Sequence, residues 1–318
     1  MKLVAFALCL SVPLAVAAQG YPNRPVKVVV PYAAGGLPDT MARLVGQKMG
    51  DAMGQQLVIE NRGGAGGIVG TAEVAKSAPD GYTLLVADVA QIAINPHLFS
   101  KLQYDPLKEL TGISMMGTSA LYLVAHSSVP AGNMKELVAL IKSQPGKLSY
   151  GSSGLGSIHH LAMEALKVGL GLDMVHVPYK GTGQSVPALL GGQVPLLYAA
   201  LPSIESHVKA GTLKIMAVST PQRSAQTPEV PTVAESGVPG YDFVAEIGFY
   251  APAGAPREVI SKIAGEVQKA VKQPDVVQRF RQLGIDPVGS TPEAYNAANR
   301  ENYRKYERVV KASGAKID

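Results

Sequence analysis

The chain reads as an α/β protein with largely parallel sheets. Three features carry that reading: short β-branched runs bounded by proline and glycine, apolar stripes at helical spacing that follow them, and the alternation of the two along most of the 318 residues. The 34 glycines and 23 prolines fit many short elements joined by tight turns, and they exclude a helical bundle.

The elements follow in order. Leu3 to Ala17 is an apolar run behind Lys2 that ends in the small residues Val16-Ala17-Ala18, the pattern of a secretory signal peptide over residues 1–18. It is shorter than a membrane span needs. Val26-Lys27-Val28-Val29-Val30 is a buried strand, followed by the turn Pro31 to Gly36. A helix starts near Asp39, with Met41, Leu44, Val45, Met49 and Ala52 on one face. Leu57-Val58-Ile59 leads into the glycines between Gly63 and Gly70 and a helix through Ala72 to Lys76. Thr83 to Ala87 is a strand that opens a loop at Val89 to Gln91. Leu121 to Ala125, Ser149-Tyr150, Val175 to Val177 and Leu213 to Val218 are further strands. Between them, helices are expected at Met134 to Ile141, Ile158 to Val168 and Gln184 to Leu190. The chain ends in helices: an apolar stripe of Ile260, Ile263, Ala264, Val267 and Val271, then Asp275 to Leu283 and Pro292 to Ala312. Arg300, Arg304, Lys305, Arg308 and Lys311 read as a solvated basic face on the last of them.

Composition narrows the function. Hydrophobic residues make up 47%, which excludes a disordered chain. Charged residues are only 17%, the net charge of +5 is spread thinly, and there is no tryptophan and only 5 phenylalanines, so a nucleic-acid partner is not expected. Cys9 is the sole cysteine and lies inside the leader, so the exported chain would carry no thiol, no disulfide and no Cys-ligated metal. Leu8 before it is too large for a lipid-anchor signal. No glycine cluster meets a dinucleotide or P-loop spacing. His159 stands where a third glycine would follow Gly154 and Gly156, and Val69 where one would follow Gly64. No cofactor is expected.

Four loops suit a small anion. They are Ala33 to Gly36 before Asp39, Val89 to Gln91 with Ala90, Gly151 to Ser157, and Tyr179 to Gly183. In parallel α/β sheets such loops stand at strand carboxyl ends, where helix N-termini offer unpaired N–H groups and a positive dipole end. Glycines allow close backbone approach, and Ser152, Ser153, Ser157 and Thr182 add hydroxyls. A Ser–His hydrolase built on Ser153 and His159 is conceivable, but Ser152 and Ser153 lack the flanking glycines of a nucleophile elbow. The plain reading of His159 and His160 is one packed or capping ring and one solvated ring, with Glu164 on the exposed face.

The motifs Tyr21-Pro22-x-x-Pro25, Val30-Pro31-x-x-Ala34-Gly35-Gly36-x-x-Asp39-x-x-Ala42-Arg43, Glu60-Asn61-Arg62-x-Gly64-Ala65-Gly66-Gly67 and Pro79-Asp80-Gly81-Tyr82-Thr83-Leu84-Leu85 come in sequence. They continue with Tyr150-Gly151-Ser152, Val177-Pro178-Tyr179-Lys180-Gly181, Pro228-x-Val230-Pro231-Thr232-x-x-Glu235-x-Gly237 and Ala251-Pro252-Ala253-Gly254-x-Pro256. In this order the chain resembles the Bug-type solute receptors of tripartite tricarboxylate transporters, over essentially all of the exported part.

The resemblance implies a type II periplasmic-binding-protein fold, two α/β lobes joined by two crossover segments with a ligand cleft between them. The lobes are expected at 19–123 plus 246–318 and at 124–245, with crossovers near Tyr122 to Val124 and Val244 to Gly248 and the C-terminal helices returning to the first lobe. It implies lobe closure on a small organic carboxylate, without catalysis or metal, in the periplasm. A monomer is expected to deliver that ligand to a large and a small integral-membrane transporter subunit. The alternative is an extracytoplasmic sensor that presents the ligand to a signalling receptor. Family contacts map onto Ala34, Gly35, Gly36 and Asp39 in one lobe, and onto Ser152, Ser153, Gly156, Ser157, Lys180, Gly181, Thr182 and Gly183 in the other. To these the loop reading adds Ala90 and Gln91. Three positions depart from the family: Pro38 for a frequent threonine, Ala199 for an acid before Leu201-Pro202-Ser203, and Glu246 for a tryptophan. With Ala199 facing the ligand, carboxylates without an amine, aliphatic or aromatic dicarboxylates among them, are expected over amino acids.

Overall fold

The structure, a computed structural model, describes residues 20–314. The expected signal peptide with Cys9 lies outside the described residues. The first lobe opens with β1 (Val26–Val30), α1 (Leu37–Met53), β2 (Leu57–Asn61), α2 (Ile68–Ala75) and β3 (Thr83–Asp88). A π-helical turn (Ala90–Ile94), α3 (Asn95–Leu98), α4 (Pro106–Glu109) and β4 (Leu110–Ala120) follow. The second lobe holds β5 (Tyr122–His126), α5 (Met134–Ser143), β6 (Ser149–Ser152), α6 (Ile158–Leu170), β7 (Val175–Pro178), α7 (Thr182–Leu190), β8 (Leu196–Ala199), α8 (Glu205–Lys209) and β9 (Leu213–Val218). The chain returns to the first through β10 (Val244–Pro252), α9 (Arg257–Ala270), α10 (Pro274–Gln282), β11 (Ile285–Pro287) and α11 (Pro292–Ser313).

Every residue of β1 except Lys27 is buried, as a parallel strand covered on both faces requires. In α1 the buried stripe is Met41, Val45 and Met49; Ala52 is exposed, because the helix ends one turn after the stripe does. Gly54 closes it at φ 69°, its N–H reaching the Gly50 carbonyl at 2.9 Å.

The expectation of largely parallel sheets is corrected. The first sheet runs β11-β4-β10-β3-β1-β2 and the second β7-β6-β8-β5-β9. Only β2-β1-β3 and β7-β6-β8 are parallel; β10, β11, β5 and β9 add antiparallel pairs. A chain that crosses from the first lobe to the second and back again needs such return strands. β4 and β10 escaped the sequence reading as strands because glycine, serine and paired methionines interrupt apolar alternation in β4, and Glu246 and Gly248 interrupt it in β10. Their pairing shifts register twice and brings backbones close: a Cβ on Gly248 would lie 2.5 Å from the Ser114 carbonyl oxygen and 2.6 Å from the Tyr295 hydroxyl.

Pairing registers fix how the lobes meet. β4 points the same way as β3, since both oppose β10, and its last residue Ala120 pairs with Val244 at the start of β10. In the second lobe Tyr122, the first residue of β5, pairs with Ala199, the last of β8. The carboxyl ends of the parallel strands of both sheets therefore meet at the crossovers. The chain changes sheet at Leu121 and again between Phe243 and Val244, just before each stretch named from the resemblance.

Ser219 ties the two crossings together. Its N–H donates to the Leu121 carbonyl at 2.8 Å and its carbonyl accepts from Phe243 N–H at 3.0 Å. Its hydroxyl accepts from Leu121 N–H at 3.0 Å and donates to the Phe243 carbonyl at 2.5 Å. α11 spans the same junction, packing on β4 of one lobe and α6 of the other. Tyr306 and Val310 join Ile94 and Leu98 to Leu123, Tyr150 and Leu161 in one apolar cluster. Lys305 is not part of a solvated face: its ammonium reaches the Asp242 carbonyl at 2.8 Å beside the return crossing.

Candidate functional site

The first-lobe loop between β1 and α1 is built by Asp39. Ala34 and Gly35 are exposed at its tip and Gly36 is partly so, while Asp39 is 3% exposed beneath them. One carboxylate oxygen accepts from Gly35 N–H at 2.9 Å and Arg43 Nε at 3.1 Å; the other accepts from Asn61 Nδ2 and the Arg43 guanidinium, each at 2.9 Å. Burial works to raise its pKa, but the bonds from Arg43, Gly35 and Asn61 prevail and hold it below the usual carboxylate range. Asp39 thus shapes the loop, with neither oxygen left over for a ligand. Gly35, at φ 84°, can adopt the turn that aims its N–H inward. Pro38 sits in the first turn of α1, where its missing N–H costs no helical bond.

The second strand end of this lobe is Asp88. Its carboxylate accepts from the Tyr32 hydroxyl and from Ala90 N–H, each at 2.7 Å. Burial raises its pKa despite those bonds. Gln91 is fully buried; its amide nitrogen donates to Tyr32 Oη at 2.9 Å and to the Gly66 carbonyl at 3.0 Å. Ala90 is partly buried at the strand end. Sequence reasoning named Ala90 and Gln91 but missed Tyr32 and Asp88, which hold them. The signal was a tyrosine in the turn after the first strand, next to the first glycine loop, and an acid closing an apolar strand.

In the second lobe the loop after β6 is a network of hydroxyls and imidazoles. Ser152 is fully buried, its Oγ 2.7 Å from His176 Nε2 and accepting from Gly154 N–H at 3.1 Å. Ser153 Oγ lies 2.8 Å from His159 Nδ1. Gly156 N–H donates to His160 Nδ1 at 3.1 Å, and Ser157 caps α6 by accepting from His160 N–H at 3.3 Å. Gly181 N–H donates to the Ser153 carbonyl at 3.1 Å, joining this loop to the one before α7. Thr182 and Gly183, which open α7, are exposed. Lys180 is exposed as well, and among the described residues its ammonium forms no ion pair.

Three sequence expectations change here. His159 is not solvated: it is half-buried and bonded to Ser153. Glu164 is not on an exposed face: it is 8% exposed, accepts from the Tyr150 hydroxyl at 2.5 Å and pairs with Lys167 at 2.7 Å. Ala199 does not line a cleft: it is fully buried in an apolar cluster with Tyr122, Val124 and Val218. Glu246 points under α11 toward Asn302 and Lys305, and burial raises its pKa.

The serine–histidine pair exists, yet burial pushes the His159 imidazole down to about 4. A ring so reluctant to take a proton is a weak general base at neutral pH. It also makes acid stability testable. The unfolded imidazole takes a proton near pH 6.5 and the folded one near 4. The stability tied to this group is therefore whole above pH 6.5 and falls between pH 6.5 and about 4. Discounted for partial exposure, the loss is about 1–2 kcal/mol. Asp88 and Glu246, both raised, act in the opposite direction. Urea unfolding at pH 7 and 4.5 of wild type and His159→Asn isolates the effect: the variant should lose about 1–2 kcal/mol less on acidification. Equal losses in the two would contradict it.

Known proteins carry the same fold and sequence features. The profile described as "Tripartite tricarboxylate transporter family receptor" matches residues 41–315. The chain is similar to Protein BugT of Bordetella pertussis, 35% identical over 305 residues, covering 95% of this chain and 93% of that protein. Among solved structures it is similar to Rpa4515 of R. palustris with adipate, at 31% identity and TM-score 0.83, covering 93% of this chain and all of that one (100%). It is also similar to MatC from Rhodopseudomonas palustris with bound malate, at 33% identity and TM-score 0.79, covering 91% and 100%.

Proposed function

The chain belongs to the tripartite tricarboxylate transporter receptor family of periplasmic solute-binding proteins, and on that premise we propose that it closes two lobes on a small organic carboxylate and hands it to membrane transporter subunits. The expected lobe boundaries near 123 and 246 move to the two sheet changes, so the first lobe ends at Leu121 and resumes at Val244, and hinge motion at Leu121 and Phe243 brings the loops of the two lobes together. The pairing register carries this reading: it turns the carboxyl ends of β1, β3, β6 and β8 toward the same junction. The starts of α1, α6 and α7 and the exposed Lys180 favour an anion there. Ala34, Gly35 and Gly36 would meet it from one side, and Gly156, Lys180, Thr182 and Gly183 from the other.

The ligand class follows from the acids. Asp39 and Asp88, the carboxylates at the first-lobe loops, are both occupied by internal donors, so an ammonium group would be buried without a partner. Dicarboxylates lacking an amine are therefore preferred over their amino-acid analogues. Adipate and malate, held by two similar structures, are of that kind. Catalysis is not part of this reading, because the Ser153–His159 pair closes the loop and its imidazole is a weak base. A location in the periplasm accords with the family; among the described residues no helix is long and apolar enough to cross a membrane.

A thermal-shift panel of organic acids tests the reading. A ligand at 100 times its dissociation constant should add about 2.7 kcal/mol. Succinate and adipate should stabilise more than aspartate and glutamate. Stabilisation by amino acids alone would overturn the ligand class, and turnover in an ester-substrate screen would overturn the non-catalytic reading.

A further inference from the structure

His160 and His176 stand out because no part of the binding account requires them, yet both reach the loop that follows β6. Their rings stack 4.0 Å apart at 15°, and Tyr150 stacks on His176 at 4.9 Å. His160 is 4% exposed and His176 half-buried. The charged groups facing the pair are Glu164 and Lys167 of α6, which bond to each other at 2.7 Å, while the Tyr150 hydroxyl takes the same Glu164 oxygen. Burial disfavours a proton on either ring, the Glu164 charge favours one, and the Lys167 ammonium beside it offsets that attraction.

We propose that His160 and His176 are positioning residues for ligand capture, a neutral stacked pair whose ring nitrogens hold residues 152–157 in the shape that presents their backbone to the carboxylate. This rests on the reading that the loop is part of the ligand site. His160 Nδ1 accepts the Gly156 N–H, so it must carry no proton of its own. A proton there would set two N–H groups against each other and release Gly156. Gly156 lies at φ 76°, a backbone conformation open to glycine, and the His160 acceptor holds its N–H there. Ser152 Oγ accepts Gly154 N–H, so its proton falls to His176 Nε2 or to the Gly154 carbonyl. The stack couples the two rings, because two imidazolium ions cannot share a 4.0 Å face-to-face contact without strong repulsion. Both imidazoles are held down chiefly by burial, His176 to about 4, so the brace is neutral at pH 7 and fails on acidification.

Amide exchange of the ligand-free protein, read by NMR from pH 7.5 to 4.5, tests the brace, and calorimetry with adipate tests its link to capture. Wild-type Gly156 N–H should lose at least tenfold in protection toward pH 4.5. His160→Asn, which keeps an acceptor near the Nδ1 position and does not titrate, should keep its protection throughout. His160→Phe, which keeps the stack but has no acceptor, should lack protection at every pH. Adipate affinity should follow the same three profiles. Protection that ignores pH in wild type, or survives in His160→Phe, would overturn the proposal. Protection as expected with adipate affinity unmoved would overturn the link to capture and assign the failure to the ligand reading of this loop.

Discussion

Ala199→Asp should destabilise the protein by about 4 kcal/mol or more. The side chain at 199 is fully buried among Tyr122, Val124, Val186 and Val218, on the last residue of β8. A carboxylate there would meet apolar atoms on all sides, and either its charge or its protonation would cost desolvation without a partner. The resemblance to known receptors suggested that position 199 sets selectivity toward amines; the packing assigns it to the core instead. Urea unfolding of wild type and variant measures the difference. A variant of normal stability that gained affinity for aspartate over succinate would return Ala199 to the ligand.

Asp39→Ala should cost about 2–4 kcal/mol and weaken carboxylate binding at least tenfold. The substitution leaves Gly35 N–H, Asn61 Nδ2 and the Arg43 guanidinium without their shared acceptor. Arg43 is half-exposed and can turn to water, which keeps the cost below that of a wholly buried pair. The loop tip of Ala34 to Gly36 loses the bond that fixes Gly35 at positive φ, so the ligand must then order it. Asp39→Asn retains one acceptor and should fall between. Unfolding curves and calorimetry check both effects. A change within about 0.5 kcal/mol would mean that the loop is held by other contacts.

What the sequence made legible follows from where local signals are strong. β1, α1, β3, α6, α7, β9 and α9 are β-branched runs or amphipathic stripes closed by glycine or proline, and they lie where periodicity predicts them. β4 and β10 are hidden because their stability is entirely tertiary: each pairs with the other over nine residues and neither alternates. Among site residues, the glycine loops were legible from composition and motif order. The functions of their side chains were not, since Ser152, Ser153, Gln91 and Asp39 look like free donors and acceptors until their partners are known. Those partners, His176, His159, Tyr32 and Asn61, lie 24, 6, 59 and 22 residues away. Ala199 and Glu164 were misplaced for the same reason: the face on which a residue at a strand end or within a helix lies depends on register with elements elsewhere in the chain.

Small-angle scattering with and without the best carboxylate of the thermal-shift panel is the most direct measure of capture by closure. The loops of the two lobes stand at one junction, with the crossings at Leu121 and Phe243 joined through Ser219. Saturating ligand should reduce the radius of gyration and shorten the longest dimension, with each lobe rigid. A profile that stays the same at saturation would contradict capture between the lobes.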